Sequence, residues 1–377
     1  MGITITAKIK ILPDEQGKEE LLHTIRAVKK GLNYASVTAF TKKCFVNTKL
    51  HPLTYQHLRE EFGLRSQMAC SVNKTVCAKY KSMKSNGVTD TLAVFKKPEY
   101  DLVWNRDYSL KPGHFSVNTL SGRIKVPYVT TGMEQFFDGT WTFGTAKLVV
   151  KKRKYFLYIP MTKEIDERNL FHEQSVKNIV GVDVGINFVA TAYGSDGKTL
   201  FFNGKHMKQK RAHYKLLRKQ LQQKHTASAR RRLQAIGNRE NRWMTDINHT
   251  VSKALVRHYG PGTLFVLEDL QNIRAATEKV CRKHRYVSVS WAFAQLRDFL
   301  TYKSLLNESK VLLEDPKYTS QTCPKCHHTD QTNRDKKTRS FCCKKCRYRS
   351  NDDRIGAMNL YHKGKEYLVR VSAQQAG

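Results

Sequence analysis

Ile179-Val180-Gly181-Val182-Asp183-Val184-Gly185-Ile186 is the stretch on which the second half of the chain turns. Val180, Val182 and Val184 alternate and share one face of a strand, which leaves Asp183 on the other. A lone carboxylate on a strand fit for burial is costly unless a partner or a metal ion satisfies it. Gly185-Ile186-Asn187 then turns the chain, and Phe188 to Tyr193 makes a second strand. Ser195-Asp196-Gly197-Lys198 turns it again, and Thr199 to Phe202 makes a third. The expected result is an antiparallel meander with one acid aimed out of its first strand.

Two further acids come at places where sheets present sites. Leu264-Phe265-Val266-Leu267 is a continuous apolar run, a strand buried on both faces, and Glu268-Asp269 ends it. Trp291 to Leu306 reads as a helix and Val311 to Leu313 as another strand, and Asp352-Asp353 begins a short last helix near Ile355 to Tyr361. Taken singly, Glu268 fits a loop acid and Asp353 a helix N-cap. Taken together, in meander–helix–strand–helix order, Asp183, Glu268 and Asp353 point to a shared divalent metal site, since close carboxylates stay ionised together only beside cations.

Between the strand and the last helix lies a cysteine pattern. Cys323-Pro324-Lys325-Cys326 and Cys343-Lys344-Lys345-Cys346 enclose 16 residues. Two CxxC knuckles at that separation read as a zinc ribbon, because a two-residue spacer lets both thiolates of a knuckle face one tetrahedral ion. Cys342 competes with Cys343, but only Cys343 keeps the two-residue spacing to Cys346. A redox pair fits less well with two knuckles present. Cys44, Cys70, Cys77 and Cys281 read as ordinary thiols.

Residues 205–242 hold 13 Lys or Arg and one acid, Glu240. Apolar spacing (Tyr214, Leu217, Leu221, then Trp243, Ile247, Val251, Leu255) predicts two helices, the second stopped by Pro261-Gly262. Lys208, Lys210, Arg211, Arg218, Lys219, Arg230, Arg231 and Arg232 are the candidate contacts to a phosphate backbone, which such stripes bind without reading sequence. The alternative is a solvated helix face, against which the near absence of acids argues.

The whole chain is basic in the same sense. Its 377 residues carry 67 Lys plus Arg against 32 Asp plus Glu, a formal charge of +35, and the pI is about 9.9. Such an excess opposes folding by self-repulsion and fits a polyanionic partner. Nine cysteines, an odd number, exclude a secreted disulfide scaffold, and 21 Gly with 9 Pro exclude a collagen-like chain. A mean hydropathy of −0.57 and no apolar run near ~20 residues argue against a membrane span. Met1-Gly2-Ile3-Thr4-Ile5-Thr6 alternates as a strand and not as a signal peptide.

That first strand runs from Ile3 to Ile11. Pro13-Asp14-Glu15 opens a helix with Leu21, Leu22, Ile25, Val28 and Leu32 at helical spacing, and Met68, Val72, Val76 and Tyr80 mark another. From about residue 100 the period returns to two, through Phe115 and Val117, then Ile124 and Val126. A hairpin continues it: Leu148-Val149-Val150, the basic turn Lys151-Lys152-Arg153-Lys154, then Phe156-Leu157-Tyr158-Ile159. A β-barrel split by a helical insertion is the expected architecture.

At these positions the chain resembles the TnpB nucleases encoded by transposons, relatives of the type V CRISPR effectors. The resemblance covers nearly the whole chain. Its most specific parts are residues 181–186, Val266-Leu267-Glu268-Asp269-Leu270, Thr319-Ser320-Gln321-Thr322-Cys323-Pro324-Lys325-Cys326, and Asp353-Arg354-Ile355-Gly356-Ala357-Met358-Asn359-Leu360. The last is similar to the family's Asp-x-x-Ala-Ala-x-Asn-Ile, with Gly356 replacing one Ala. Cys346-Arg347 departs from a frequent Cys-Gly.

The resemblance implies an α/β fold: a RuvC-type, ribonuclease H-like nuclease domain with an inserted zinc ribbon, plus an N-terminal β-barrel split by a helical insertion. The expected ranges are 1–14 and 97–170 for the barrel, 15–96 for a helical recognition insertion, 171–317 and 351–365 for the nuclease domain, 318–350 for a zinc-bearing target-loading lobe, and 366–377 for a tail. It implies Asp183, Glu268 and Asp353 as a catalytic triad holding two Mg²⁺ ions, and one structural Zn²⁺ on Cys323, Cys326, Cys343 and Cys346. It further implies a noncoding guide RNA and double-stranded target DNA as partners, cleavage beside a short flanking motif, and a prokaryotic cytoplasmic setting; the sequence leaves the oligomeric state open, with a monomer favoured. Asn359 and Asp269 are lesser candidates beside the triad. Two other functions are compatible with these residues: a resolvase or transposase using the same site without RNA, and a binding regulator with an inactive nuclease fold.

Overall fold

The structure, a computed structural model, describes residues 2–97, 99–151, 153–165, 176–270, 293–335 and 337–375. Cys281 and the expected helix start at Trp291 lie outside the described residues. The chain divides into two compact units, Met1–Ile165 and Asp166–Gly377.

The first unit begins with β1 (Gly2–Ile11) and continues with three helices, α1 (Glu15–Thr41), α2 (Asn47–Glu60) and α3 (Ser66–Ser85). Asp14 caps α1, its Oδ1 accepting the Gly17 N–H at 2.8 Å. The strands β2 (Glu99–Leu102), β3 (Tyr108–Lys111), β4 (His114–Asn118), β5 (Arg123–Pro127), β6 (Thr142–Phe143), β7 (Ala146–Lys151) and β8 (Lys154–Glu164) complete it. They form two antiparallel sheets, β1-β8-β7-β2 with β6 on β8, and β3-β4-β5. The sheets meet at a bridge between Ile11 and Tyr128. The periodic residues of the sequence form the buried stripes: Leu21, Ile25, Val28 and Leu32 of α1, and Met68, Val72, Val76 and Tyr80 of α3, share a core with Leu157 and Ile159 of β8. Full burial of each large apolar side chain contributes about 1.5–3 kcal/mol.

The second unit is built on one five-stranded sheet. Its strands are β9 (Asn178–Asp183), β10 (Phe188–Gly194), β11 (Thr199–Asn203), β12 (Thr263–Glu268) and β13 (Lys310–Glu314). The order is β11-β10-β9-β12-β13. The meander is antiparallel, whereas β12 runs parallel to β9 and β13 parallel to β12. Between β11 and β12 lie α4 (Lys205–Gln223), α5 (Ala227–Ile236) and α6 (Arg239–Tyr259), and α7 (Phe293–Leu306) precedes β13. The short strands β14 (Arg334–Asp335), β15 (Ser340–Cys342) and β16 (Arg349–Asn351) make a separate sheet before α8 (Asp352–Gln375).

Two expectations change here. The basic stretch forms three helices, not two. Thr226 starts α5 by accepting the Ala229 N–H at 3.2 Å, and Gly237, at φ 44°, ends it. The last helix is long: it passes Tyr361 and includes most of the expected tail, because Tyr367 and Leu368 still pack on Leu264 and Val266 of the sheet. Among the described residues, no helix is long and apolar enough to cross a membrane.

The sheet's two faces differ in what covers them. Val180 and Val182 join Phe265 and Leu267 in a core with Val251 and Leu255 of α6 and Leu296 and Leu300 of α7. The opposite face carries α8, and glycine sets how close that helix comes. A Cβ on Gly181 would lie 2.0 Å from the Ala357 carbonyl oxygen and 2.5 Å from the Tyr361 nitrogen. Only glycine leaves room for helix backbone to rest on strand backbone there.

Candidate functional site

Alternation along β9 puts Asp183 on the α8 face, and alternation along β12 puts Glu268 there too. Leu267 pairs with Val182 in the parallel ladder, so the two acids end neighbouring strands side by side. The first turn of α8 brings Asp353 to them. Asp353 does not cap its own helix. That role falls to Asn351, whose Oδ1 accepts the N–H groups of Asp353 at 3.1 Å and Arg354 at 3.2 Å. Asp353 is 9% exposed, and its Oδ2 has no hydrogen-bond partner among the described residues.

The electrostatics follow from this crowding. Burial pushes the Asp183 carboxyl well above the usual range, and the charges of Glu268 and Asp353 push it further. Burial raises Glu268 as well, opposed by the Thr319 hydroxyl and by Lys363 and Arg334. Burial and Asp352 raise Asp353, opposed by Arg339, Arg334 and Lys208. Gly356 borders the cluster: a Cβ there would lie 2.9 Å from Asp183 Oδ2. The Gly-for-Ala departure from the family segment therefore bears directly on the Asp183 carboxylate.

Adjacent acids have different fates. Asp352, 1% exposed, is held by Arg334 at 2.8 Å. A second Arg334 nitrogen donates to Ser320 Oγ at 3.0 Å. Asp269 extends the strand pairing through its N–H to the Glu314 carbonyl, 2.8 Å. Asn359 is a brace: its Nδ2 donates to the carbonyls of Thr319 and Thr322 at 2.6 and 2.7 Å.

The donor set fits divalent cations. Three carboxylates whose proton affinity is raised, Asp183 by its two acidic partners and all three by burial, with one orphaned buried oxygen on Asp353, match hard oxygen-ligated ions. Their oxygens are not drawn into one tight cage. Among the described residues, the single group of three or more potential ligands close enough to hold one ion is Cys323, Cys326, Cys343 and Cys346, with all Sγ atoms within 4.8 Å. Cys323 and Cys346 Sγ are 3.6 Å apart, and Cys326 and Cys343 Sγ 3.5 Å. Zinc–sulfur bonds of about 2.3 Å in a tetrahedron give sulfur–sulfur edges of roughly 3.8 Å. Cys342 is not in the group. Burial pushes the Cys323 thiol up to about 12, while the N–H groups of Cys346 and Lys345 bring the Cys343 thiol down to about 6 against the upward push of burial.

The two knuckles share one kind of turn. His327 N–H donates to the Cys323 carbonyl at 2.9 Å and Arg347 N–H to the Cys343 carbonyl at 3.0 Å. Both turns need a left-handed residue, supplied by His327 at φ 58° and Arg347 at φ 61°. Asn333 ties the knuckles together: its Nδ2 donates to the Gln321 carbonyl at 3.0 Å, and its Oδ1 accepts the Lys344 N–H at 2.9 Å.

The basic residues separate by burial. Lys219, Arg230, Arg231 and Arg232 differ from their buried neighbours: Lys219, Arg231 and the other outward positions of α4 and α5 are open to solvent to varying degrees. Lys210 lies 4.4 Å over the Trp243 ring. Lys208 faces Asp353 and Arg339, and burial with the Arg339 charge lowers its pKa. Arg211 is a correction. It is 3% exposed and paired with the equally buried Glu240 at 3.2 Å, while Arg218 reaches the same carboxylate at 2.5 Å. Arg211 is thus withdrawn from solvent, and the one acid of the basic run is spent on two arginines.

Residues 161–273 match the family described as "Probable transposase", and residues 293–360 match "Cas12f1-like, TNB domain". A TnpB-like protein of Methanocaldococcus jannaschii is 25% identical over 254 residues, 64% of this chain and 87% of that protein. The CRISPR-associated endodeoxyribonuclease Cas12f1 of Syntrophomonas palmitatica is 24% identical over 271 residues, 66% of this chain and 52% of that protein, so this chain spans about half of it. In fold, the chain resembles a Cas12f1 solved in complex with sgRNA and target DNA, with a TM-score of 0.65 at 12% identity, covering 96% of this chain and 99% of that one.

Proposed function

The chain belongs to the TnpB family, and on that premise we propose that it is an RNA-guided DNA endonuclease: it binds a noncoding guide RNA and cuts double-stranded DNA beside a short flanking motif. The observation that carries the reading is the meeting of Asp183, Glu268 and Asp353 at two adjacent parallel strand ends and a helix start, inside a basic unit. Asp183, Glu268 and Asp353 would hold the divalent cations, Mg²⁺ in this reading, and these would supply an activated water and neutralise charge on the leaving oxygen of a phosphodiester.

The protein's own groups supply position and charge. Asp183, fixed at the end of β9 against Gly356, is the ligand common to both neighbours. Glu268 is held by Thr319, and Asp353 keeps an oxygen free because Asn351 caps the helix in its place. Lys208 and Arg339 place positive charge beside Asp353, where a phosphate of the strand would approach. The Lys219 and Arg230–Arg232 face serves the nucleic-acid backbone. Four cysteines hold one structural Zn²⁺, and its lobe orients the target strand. In the first unit, we read the two sheets as walls of a split barrel and α1–α3 as the recognition insertion.

The test pairs guide exchange with loss of a ligand. Replacing the guide segment of the co-purified RNA should move the cut to the new matching DNA, and Asp183→Ala should abolish cutting while leaving target binding intact. Cleavage indifferent to the guide, or retained in Asp183→Ala, refutes the proposal.

A further inference from the structure

We infer that Thr319 is a positioning residue for Glu268, and that through it the zinc ribbon governs the aim of that carboxylate. This rests on the reading of Asp183, Glu268 and Asp353 as a divalent-cation site. Thr319 and Ser320 stand shortly before the first zinc knuckle. The Thr319 hydroxyl donates to Glu268 Oε1 at 2.5 Å, a contact between residues 51 apart in sequence. Its other available acceptor is the Pro316 carbonyl at 3.0 Å. Ser320 accepts from Arg334, which in turn holds Asp352 beside Asp353. Adjacent residues of one turn therefore touch both sides of the carboxylate cluster.

That turn is pinned from below. Asn359, 8% exposed, gives both Nδ2 hydrogens to it, at the Thr319 and Thr322 carbonyls. One turn further along α8, Lys363 Nζ donates to the Asp315 carbonyl. Residues 315–322 are thus fastened at three carbonyls to the helix that carries Asp353. They run straight into Cys323, whose N–H is bonded to the His328 carbonyl at 3.0 Å within the knuckle. A carboxylate with one oxygen fixed by a hydroxyl presents its other oxygen in a single direction. Partners of this kind, outside the ligands themselves, alter metal affinity about 10–100-fold.

The experiment reads Mn²⁺ binding by electron paramagnetic resonance, on the full chain with its co-purified RNA and without target DNA. Zinc content and melting temperature are measured alongside. Thr319→Val should weaken Mn²⁺ binding about 10-fold or more with zinc retained, and Thr319→Ser, which restores the donor, should stay within about 3-fold of the parent. Cys346→Ser, at the far knuckle, should weaken Mn²⁺ binding in the parent but add little to Thr319→Val, since both act through one contact. Parent-like affinity in Thr319→Val, with binding lost in Asp183→Ala, overturns the role of Thr319 alone. Equal losses in the Ser and Val variants overturn it too, because the hydroxyl is then not the cause. Full additivity with Cys346→Ser overturns the link to the ribbon. A parent that binds no Mn²⁺ overturns the carboxylate reading with it.

Discussion

Glu240 is buried and Asp183 half-buried within the same unit, yet only one is fully answered. Glu240, 2% exposed, has two arginines on its oxygens, Arg211 at 3.2 Å and Arg218 at 2.5 Å. Asp183 has acids for neighbours; Arg334 is engaged on Asp352 and Lys363 on the Asp315 carbonyl, and Lys208 and Arg339 lie on the Asp353 side of the cluster. The first arrangement closes on itself and holds helices α4 and α6 together. The second stays short of positive charge at Asp183, whose carboxyl remains pushed up despite Arg334. A self-neutralised ion cluster reads as structure, and a buried cluster of like charge reads as a site.

The contrast can be broken most directly at Glu240. Glu240→Ala takes the carboxylate away from a buried Arg211 and should cost about 3–5 kcal/mol in denaturant unfolding. A loss under about 1 kcal/mol, the value of an exposed pair, would erase the contrast.

Asp183→Asn should move stability the other way. Burial and its acidic neighbours raise the Asp183 pKa above its unfolded value. The folded, metal-free protein therefore binds more protons than the unfolded chain between those two values. Its stability falls as pH rises through that window, which opens at the ordinary carboxylate range of about 4. Removing the charge should raise stability at neutral pH in EDTA by roughly 0.5–2 kcal/mol while destroying activity. Mg²⁺ should close the gap by stabilising the parent alone. A parent whose EDTA melting temperature matches that of Asp183→Asn across this range would show the cluster to be satisfied after all.

The smallest effect sharpens the picture of the ribbon. Arg347 occupies a left-handed conformation at φ 61° where glycine is unstrained. Arg347→Gly should stabilise the ribbon modestly, by under about 1 kcal/mol once the added freedom of the unfolded chain is counted, and so raise its melting temperature. An unchanged or lower melting temperature would mean that the Arg347 side chain contributes more than its backbone costs.

What could be read from sequence was what is local. The four clustered cysteines follow from spacing, and the choice of Cys343 over Cys342 rests on the two-residue gap alone; the sulfur cluster that could hold one ion has that composition. The face of Asp183 follows from a period of two, and Val180 and Val182 lie on the opposite side as that period requires. The strand and helix stripes of the first unit were legible for the same reason. Burial of Arg211 was not, because composition cannot show that an acid 29 residues away folds back onto it. A lone Glu in a run of 13 cations was the available signal. Only the resemblance singled out Asp353 over Asp352; spacing could not foresee their different fates, which depend on Arg334 and on Asn351 as the cap. Thr319 was visible within a motif, but its partner is 51 residues distant.

Gly181 also dictates an order of assembly. Its contact partners, Ala357 and Tyr361, lie on α8, so β9 must wait for a helix translated long after it. Asp353 itself emerges 85 residues after Glu268. At about 5–20 residues per second that delay is roughly 4–17 s. Through that interval a nascent chain holds two of its three acids and a strand with one face uncovered. The ribosome thus finishes the carboxylate cluster last, and a chain halted anywhere before α8 is released without a complete one.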